Sequence, residues 1–154
     1  MSVEDPAHVA EQTGMVLGAR VTAAALEPLA AGARAATATA AMGAVVVFEG
    51  TVRDHDGGRR VAALSYTAHP EAEAMLAAVA AEVCRRHPET RIWAAHRVGP
   101  LAIGELAFLV VVAAAHRAAA FAACADLVDA VKAGVPIWKE QRLDDGTVQW
   151  VGVE

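Results

Sequence analysis

The chain has 154 residues, a length typical of one domain. Hydrophobic residues make up 56% of it, and many are alanines, which favour helix but bury little area each. The formal net charge of -5, without a long run of lysines and arginines, disfavours a broad nucleic-acid-binding face. A local site for an anionic small molecule remains compatible with this charge, because the field in a pocket depends on nearby groups.

We expect a cytoplasmic protein that does not span a membrane and that holds neither a metal nor a cofactor. Residues 1–12 carry acidic side chains and no apolar core, unlike a signal peptide. The longest strongly apolar run, 106–115, is too short to cross a membrane. Cys84 and Cys124 lie on apolar helical positions, so we interpret them as buried small side chains, and the six histidines lack ligand-like spacing.

The order of apolar patterns predicts an α+β domain around one mainly antiparallel sheet with flanking helices. Residues 1–14 are expected to form a flexible N-terminal segment, and residues 15–154 a single domain. Apolar β-branched runs predict strands, and apolar residues at three- and four-residue steps predict helices. In chain order we predict a strand at 15–21, a helix at 23–39, strands at 44–52 and 61–67, a helix at 70–86, strands at 91–98 and 105–115, a helix at 118–133, and strands at 135–139 and 143–151.

Three local patterns make more specific predictions. Gly50, inside a strand, predicts a bulge or a close backbone approach. The charged, glycine-containing loop 53–60 predicts that the strands on either side of it pair as a long-looped hairpin. Apolar spacing in the last helix assigns four residues to its buried face. They are Phe121, Cys124, Val128 and Val131.

Four basic side chains lie at the ends of predicted elements in the last third of the chain. His116 and Arg117 precede the last helix, where a cation opposes the helix dipole unless an anion binds there. Lys132 lies at the margin of that helix's buried face, and Lys139 follows the rigid sequence Pro136-Ile137-Trp138. For each of these side chains, an anion-binding role and a simple solvated position are both compatible with the pattern.

Arg53 directly follows an apolar strand and precedes a loop with two more arginines. It fits either a phosphate ligand or a charge that marks the end of the strand. The sequence contains no Walker A loop, no GxGxxG pattern and no Ser-His-Asp order, so those nucleotide-binding and hydrolase classes are not indicated.

Five segments carry more specific information when they are taken together. They are GAVVVFEGTVRDHDGG at 43–58, LSYTAHPEAEAML at 64–76, HRVGPLAIGE at 96–105, AHRAAAFAACADLVDAVK at 115–132 and PIWKEQRLDDGTVQWV at 136–151. The combination resembles the large, catalytic subunit of molybdopterin synthase, the MoaE family. Thr67 and His69 depart from a Tyr-Glu-Ala-Tyr pattern that is frequent in the family. Gln141 stands where an acid usually follows Trp-Lys by two positions.

The resemblance implies an α/β-hammerhead fold and a sulfurtransferase of molybdenum cofactor biosynthesis. Such an enzyme inserts two sulfurs into cyclic pyranopterin monophosphate, or precursor Z, to form the dithiolene of molybdopterin. The implied partner is a small ubiquitin-like carrier subunit whose C-terminal thiocarboxylate supplies the sulfur. The large subunits are implied to form a homodimer within a heterotetramer.

The resemblance also implies roles for individual residues. Lys132 and Lys139 match the family's two active-site lysines. The residues that match its substrate pocket are Phe48, Arg53, His116 and Arg117. A competing hypothesis is a non-catalytic module that binds a phosphorylated ligand or a carrier tail. Loss of either lysine would have favoured that module, and because both are present we favour the enzyme.

Overall fold

The computed structural model describes residues 9–152, and its elements follow the predicted order. Its strands are β1 (Met15–Thr22), β2 (Ala44–Thr51), β3 (His55–Asp56), β4 (Arg59–Ala68), β5 (Thr90–Arg97), β6 (Gly99–Leu101), β7 (Leu106–Ala114), β8 (Ile137–Leu143) and β9 (Val148–Val151). After a 3-10 turn at Glu27–Leu29, its helices are α1 (Ala30–Thr37), α2 (Ala72–Arg86) and α3 (Arg117–Gly134). Residues 1–8 of the predicted flexible segment lie outside the described residues, so that segment and the single domain over 15–154 stay predictions.

The first sheet has the strand order β1-β5-β7-β2, with β1 parallel to β5 and the other pairs antiparallel. All of β7 is buried because helices cover both faces of the sheet. Side chains alternate along it: Phe108, Val110 and Val112 pack with α2 and α3. Leu109 and Val111 pack against Leu26 and Ala33 on the α1 side.

The second sheet has the order β3-β4-β8-β9, and β6 also pairs with β4. The predicted single sheet is therefore wrong, as is the predicted hairpin between the strands that flank the loop 53–60. β2 pairs with β7, whereas β4 pairs with β8, because the loop itself folds back as the β3–β4 hairpin. Gly57 and Gly58, with φ of 57° and 78°, make this tight turn. The α+β class and the mainly antiparallel pairing are confirmed.

Helix α3 buries a different face from the predicted one. Cys124 and Val131 are buried as expected, but Phe121 is 60% exposed and Val128 is only half-buried. The rest of the buried face is made largely of alanines, whose small side chains let the helix lie close to the sheet. The residues that complete it are Ala120, Ala123 and Leu127.

Other predictions are confirmed by the structure. The pairing of β2 with β7 shifts register between Gly50 and Thr51, as a bulge requires. Cys84 and Cys124 are both buried free thiols. Within residues 9–152, no helix combines the length and the apolar character needed to cross a membrane. The cytoplasmic location stays a prediction.

Candidate functional site

A cavity of about 580 Å³ opens where the first sheet, the C-terminal end of α3 and the second sheet meet. Lys132 and Lys139, the only two lysines in the sequence, both line it. Arg53 adds a third cationic side chain, and none of the described residues that line the cavity is acidic. Asp56 pairs with Lys139 and Arg53 from outside this lining, and the net positive charge that the three cations leave suits an anionic ligand.

One wall of the cavity is a continuous row of aromatic rings. Phe48 contacts Phe108 edge-on at a centroid distance of 5.9 Å, and Phe108 stacks on His96 at 5.4 Å. Tyr66 extends the row through an edge contact with His96 at a centroid distance of 4.9 Å. A ring system that enters the cavity therefore finds aromatic surface on one side and positive charge nearby.

His96 in this row is neutral at ordinary pH. Its pKa is lowered to about 4, mainly by burial and also by the positive charge of Lys132, against the opposing effect of a backbone hydrogen bond. Its Nδ1 lies 2.8 Å from the carbonyl oxygen of Arg97. Because that oxygen can only accept, Nδ1 carries the hydrogen and Nε2 keeps a free lone pair. The sequence analysis missed His96 and Tyr66, although the segment 96–105 was recognised.

The two lysines differ in their surroundings. The Nζ of Lys139 lies 3.5 Å from Asp56 Oδ2, and its side chain is only 23% exposed. Lys132 lies exposed in the last turn of α3, and no ion pair or hydrogen bond of its side chain occurs within the described part of the chain. Gln141 donates a hydrogen bond to the same Asp56 oxygen at 2.6 Å. The carboxylate next to Lys139 is thus supplied by β3.

His116 and Arg117 lie at the other end of α3. His116 is the N-cap residue and Arg117 begins the helix, and both are exposed. At 1.5 Å per residue, Arg117 and Lys132 are separated by about 22 Å along the helix axis. One chain therefore brings together Phe48, Arg53 and the two lysines, and it does not bring His116 and Arg117 to the same cavity.

The fold and the cavity define an α+β protein with a cationic, aromatic-walled site between two sheets. A family model described as "MoaE protein" matches residues 21–134, and the chain belongs to this family. It is 46% identical over 109 residues to the molybdopterin synthase catalytic subunit of Oryza sativa subsp. indica, covering 70% of this chain and 56% of that protein. It therefore spans little more than half the length of that relative.

Bacterial and archaeal relatives are covered more fully. The molybdopterin synthase catalytic subunit of Staphylococcus carnosus (strain TM300) is 42% identical over 111 residues, 71% of this chain and 73% of that protein. That of Pyrococcus abyssi (strain GE5 / Orsay) is 43% identical over 115 residues, with 73% and 76% covered.

Solved structures agree with this family. The crystal structure of molybdopterin synthase from Staphylococcus aureus superposes with a TM-score of 0.74 at 34% identity, covering 92% of this chain and 97% of that one. The molybdopterin biosynthesis MoaE protein of Burkholderia ambifaria MC40-6 gives 0.70 at 33% identity, with 90% and 89% covered.

Proposed function

We propose that this chain is the catalytic subunit of a molybdopterin synthase. It transfers sulfur from a thiocarboxylated carrier subunit to precursor Z, forming the dithiolene of molybdopterin. The observation that carries the proposal is the convergence of Arg53, Lys132 and Lys139 on one aromatic-walled cavity. Relatives that are 42–46% identical bear the name of this catalytic subunit, and the word subunit itself implies a partner in those proteins.

Each part of the cavity suits one part of this chemistry. The arginine fork of Arg53 matches the oxygens of the phosphate, and the aromatic wall offers a surface for the pterin rings. The C-terminal tail of the carrier ends beside the two amines. Their positive charges stabilise the thiocarboxylate and the oxyanion that develops when sulfur leaves the acyl carbon.

His116 and Arg117 enter this proposal only through a second copy of the chain. Arg117 and Lys132 are about 22 Å apart in one chain, so a small ligand does not touch both. In a symmetric dimer, two antiparallel α3 helices bring Arg117 of each copy next to Lys132 of the other. Each copy then supplies the lysines of one substrate site and the His-Arg pair of its neighbour's site.

The surface needed for such a dimer is present on α3 and on the edge strand β2. A groove of about 320 Å³ runs between them, and its lining residues are apolar apart from Cys124 and Asp129. Phe121 is 60% exposed beside it and Val47 is 45% exposed. Together with Phe121, exposed alanines at positions 118, 122 and 125 form an apolar stripe along α3. We propose that a second copy covers this surface, and that a carrier subunit binds at each distal end to give a heterotetramer.

The direct test is incubation of the purified chain with a thiocarboxylated carrier and precursor Z, followed by detection of molybdopterin by mass spectrometry. We expect product that requires all three components. The matched control is a chain in which Lys132 and Lys139 are both replaced by alanine. If the unaltered chain binds carrier and precursor Z but forms no product, the chain is a binding module and the proposal is wrong.

A further inference from the structure

Asp56 pairs with two side chains that line the cavity, Arg53 and Lys139, from an element that was predicted to be a loop. It lies on the two-residue strand β3, opposite Arg59 across the hairpin. The Gly57-Gly58 turn, with positive φ at both residues, reverses the chain immediately after it. The hairpin therefore fixes the backbone that carries this carboxylate.

Three side chains share the Asp56 carboxylate. Gln141 Nε2 lies 2.6 Å from Oδ2, Lys139 Nζ lies 3.5 Å from Oδ2, and an Arg53 nitrogen lies 3.6 Å from Oδ1. The hydrogen bond from Gln141, followed by the charges of Lys139 and Arg53, holds the pKa of Asp56 below its ordinary value. The carboxylate is thus charged and links two of the three cations of the cavity.

Gln141 makes the position of this carboxylate rigid. It is 1% exposed, and its amide nitrogen donates to Asp56 Oδ2 and, at 2.9 Å, to Gln149 Oε1 on β9. Both hydrogens of the amide are thereby used. Lys139 and Gln141 are two residues apart on β8, so their side chains lie on the same face of the strand. The lysine and the amide therefore reach the same oxygen of Asp56.

We propose that Asp56 is a positioning residue that holds Lys139 in place as a fixed ammonium group in the cavity, with Gln141 locking the carboxylate. The inference rests on the proposed function and refines it. Lys139 then provides a stationary positive charge. Lys132 has no such partner among residues 9–152, so its side chain can change conformation and its amine can change position. Any preorganised charge of this kind stabilises a developing anion better than a mobile one.

The first test does not depend on catalysis. Because the sequence contains two lysines only, limited acetylation with acetic anhydride and peptide mass spectrometry reports each amine separately. We expect Lys139 to react more slowly than Lys132 in the unaltered chain. In Asp56→Asn, acetylation of Lys139 should rise by up to about fivefold while that of Lys132 stays unchanged, since an ion pair of this kind is worth up to about 1 kcal/mol. Unchanged acetylation of Lys139 overturns the proposal.

The second test measures molybdopterin formation in the same variants. Asp56→Asn should lower kcat about tenfold with little change in KM for precursor Z. The double variant Asp56→Asn/Gln141→Glu exchanges carboxylate and amide within one hydrogen bond, and it should restore both kcat and slow acetylation of Lys139. Gln141→Glu alone places two carboxylates in contact and should not match the unaltered chain. Full kcat in Asp56→Asn, or no rescue by the exchange, overturns the proposal.

The matched control is Asp54→Asn, the same change two residues earlier. Asp54 is exposed and its side chain pairs with His55, so acetylation and kcat should not change. A loss equal to that of Asp56→Asn would mean that the loop charge alone matters and would overturn the proposal. If the unaltered chain forms no molybdopterin, the proposed function fails, and the acetylation experiment still decides whether Asp56 holds Lys139.

Discussion

The two ends of α3 carry charges of the same sign in opposite surroundings. At the C-terminal end, the charge of Lys132 interacts favourably with the helix dipole, which stabilises the helix by about 0.3–1 kcal/mol. Lys132 also lines the cavity with the aromatic wall. At the N-terminal end Arg117 opposes the dipole, and His116 provides no side-chain cap. The first end borders the cavity that we propose as the substrate site. The second end is exposed, and we propose that it contributes to the corresponding site of a second copy.

The largest effect is expected from the lysines of the C-terminal end. Lys132→Ala and Lys139→Ala should fold and bind carrier but lose about 10²–10⁴ in the single-turnover rate of molybdopterin formation, the usual contribution of a positioned proton-transfer or charge-stabilising group. Lys139 is expected to be the more sensitive position. Arg142→Ala, which removes an exposed cation from the other face of β8, is the control. A near-normal rate in either lysine variant would remove that lysine from the mechanism.

The next largest effect is expected from the exposed apolar surface in the middle of α3, around Phe121, which we propose as the dimer interface. Phe121→Asp places a charge in the proposed dimer surface and should raise the dissociation constant of the homodimer by about 100-fold or more, because an unpaired buried charge costs several kcal/mol. Light scattering at micromolar concentration measures this directly. Ile103→Asp, at a residue that is 44% exposed in the turn before β7, should leave the dimer intact. A strictly monomeric unaltered chain would contradict the dimer itself.

At the N-terminal end, Arg117→Ala should weaken precursor Z binding by about 10–100-fold, since a charged hydrogen bond contributes about 1.5–3 kcal/mol. Carrier binding should stay nearly unchanged, because the carrier tail ends at the lysines. Isothermal calorimetry with each ligand separates the two effects. Arg34→Ala removes an exposed arginine from α1 and serves as the control. If precursor Z bound equally well to Arg117→Ala, this arginine would not belong to the site.

His96, which is buried on β5 and lines the same cavity as Lys132, predicts a pH effect on stability. The pKa of His96 is about 4 in the folded chain against 6.5 in its ordinary state, so protons bind preferentially to the unfolded chain between these values. Its contribution to stability is complete above about pH 6.5 and is lost as the pH falls toward 4. From pH 7 to pH 5 this loss is about 2 kcal/mol.

Urea unfolding at both pH values checks this effect against the variant His96→Phe, which keeps a ring on Phe108 and removes the titrating group. The unaltered chain should lose about 2 kcal/mol more of its unfolding free energy than the variant does. Equal losses in the two chains would mean that His96 is protonated as easily when folded as when unfolded.

The sequence was a good guide to what is local. Periods of two and of three to four residues predicted the main strands and helices, and Gly50 predicted the β2 bulge. The recognised segments also identified Phe48, Arg53 and the two lysines, which the fold then brings to one cavity. Such features depend on neighbouring residues, so they appear in the sequence directly.

Features that join distant segments were missed or wrong. The division into two sheets depends on which strands pair, and the pattern around 53–60 is equally compatible with a simple hairpin. The contact between Asp56 and Gln141 joins residues 85 positions apart, and no local spacing reveals it. On α3 the apolar pattern favoured Phe121 over the alanines, although close helix packing favours the smaller side chains.

Mixing two impaired variants, assayed at a precursor Z concentration too low to occupy the weakened Arg117→Ala site, tests most directly whether opposite ends of α3 from two copies form one site. Lys132→Ala and Arg117→Ala chains, each with a different tag, are unfolded and refolded together so that mixed dimers form. In a mixed dimer, one of the two shared sites contains both defects and the other contains none. The shared site predicts recovery of about a quarter of normal molybdopterin formation from an equal mixture. No recovery above the sum of the separate variants, with mixed dimers isolated through both tags, would contradict it.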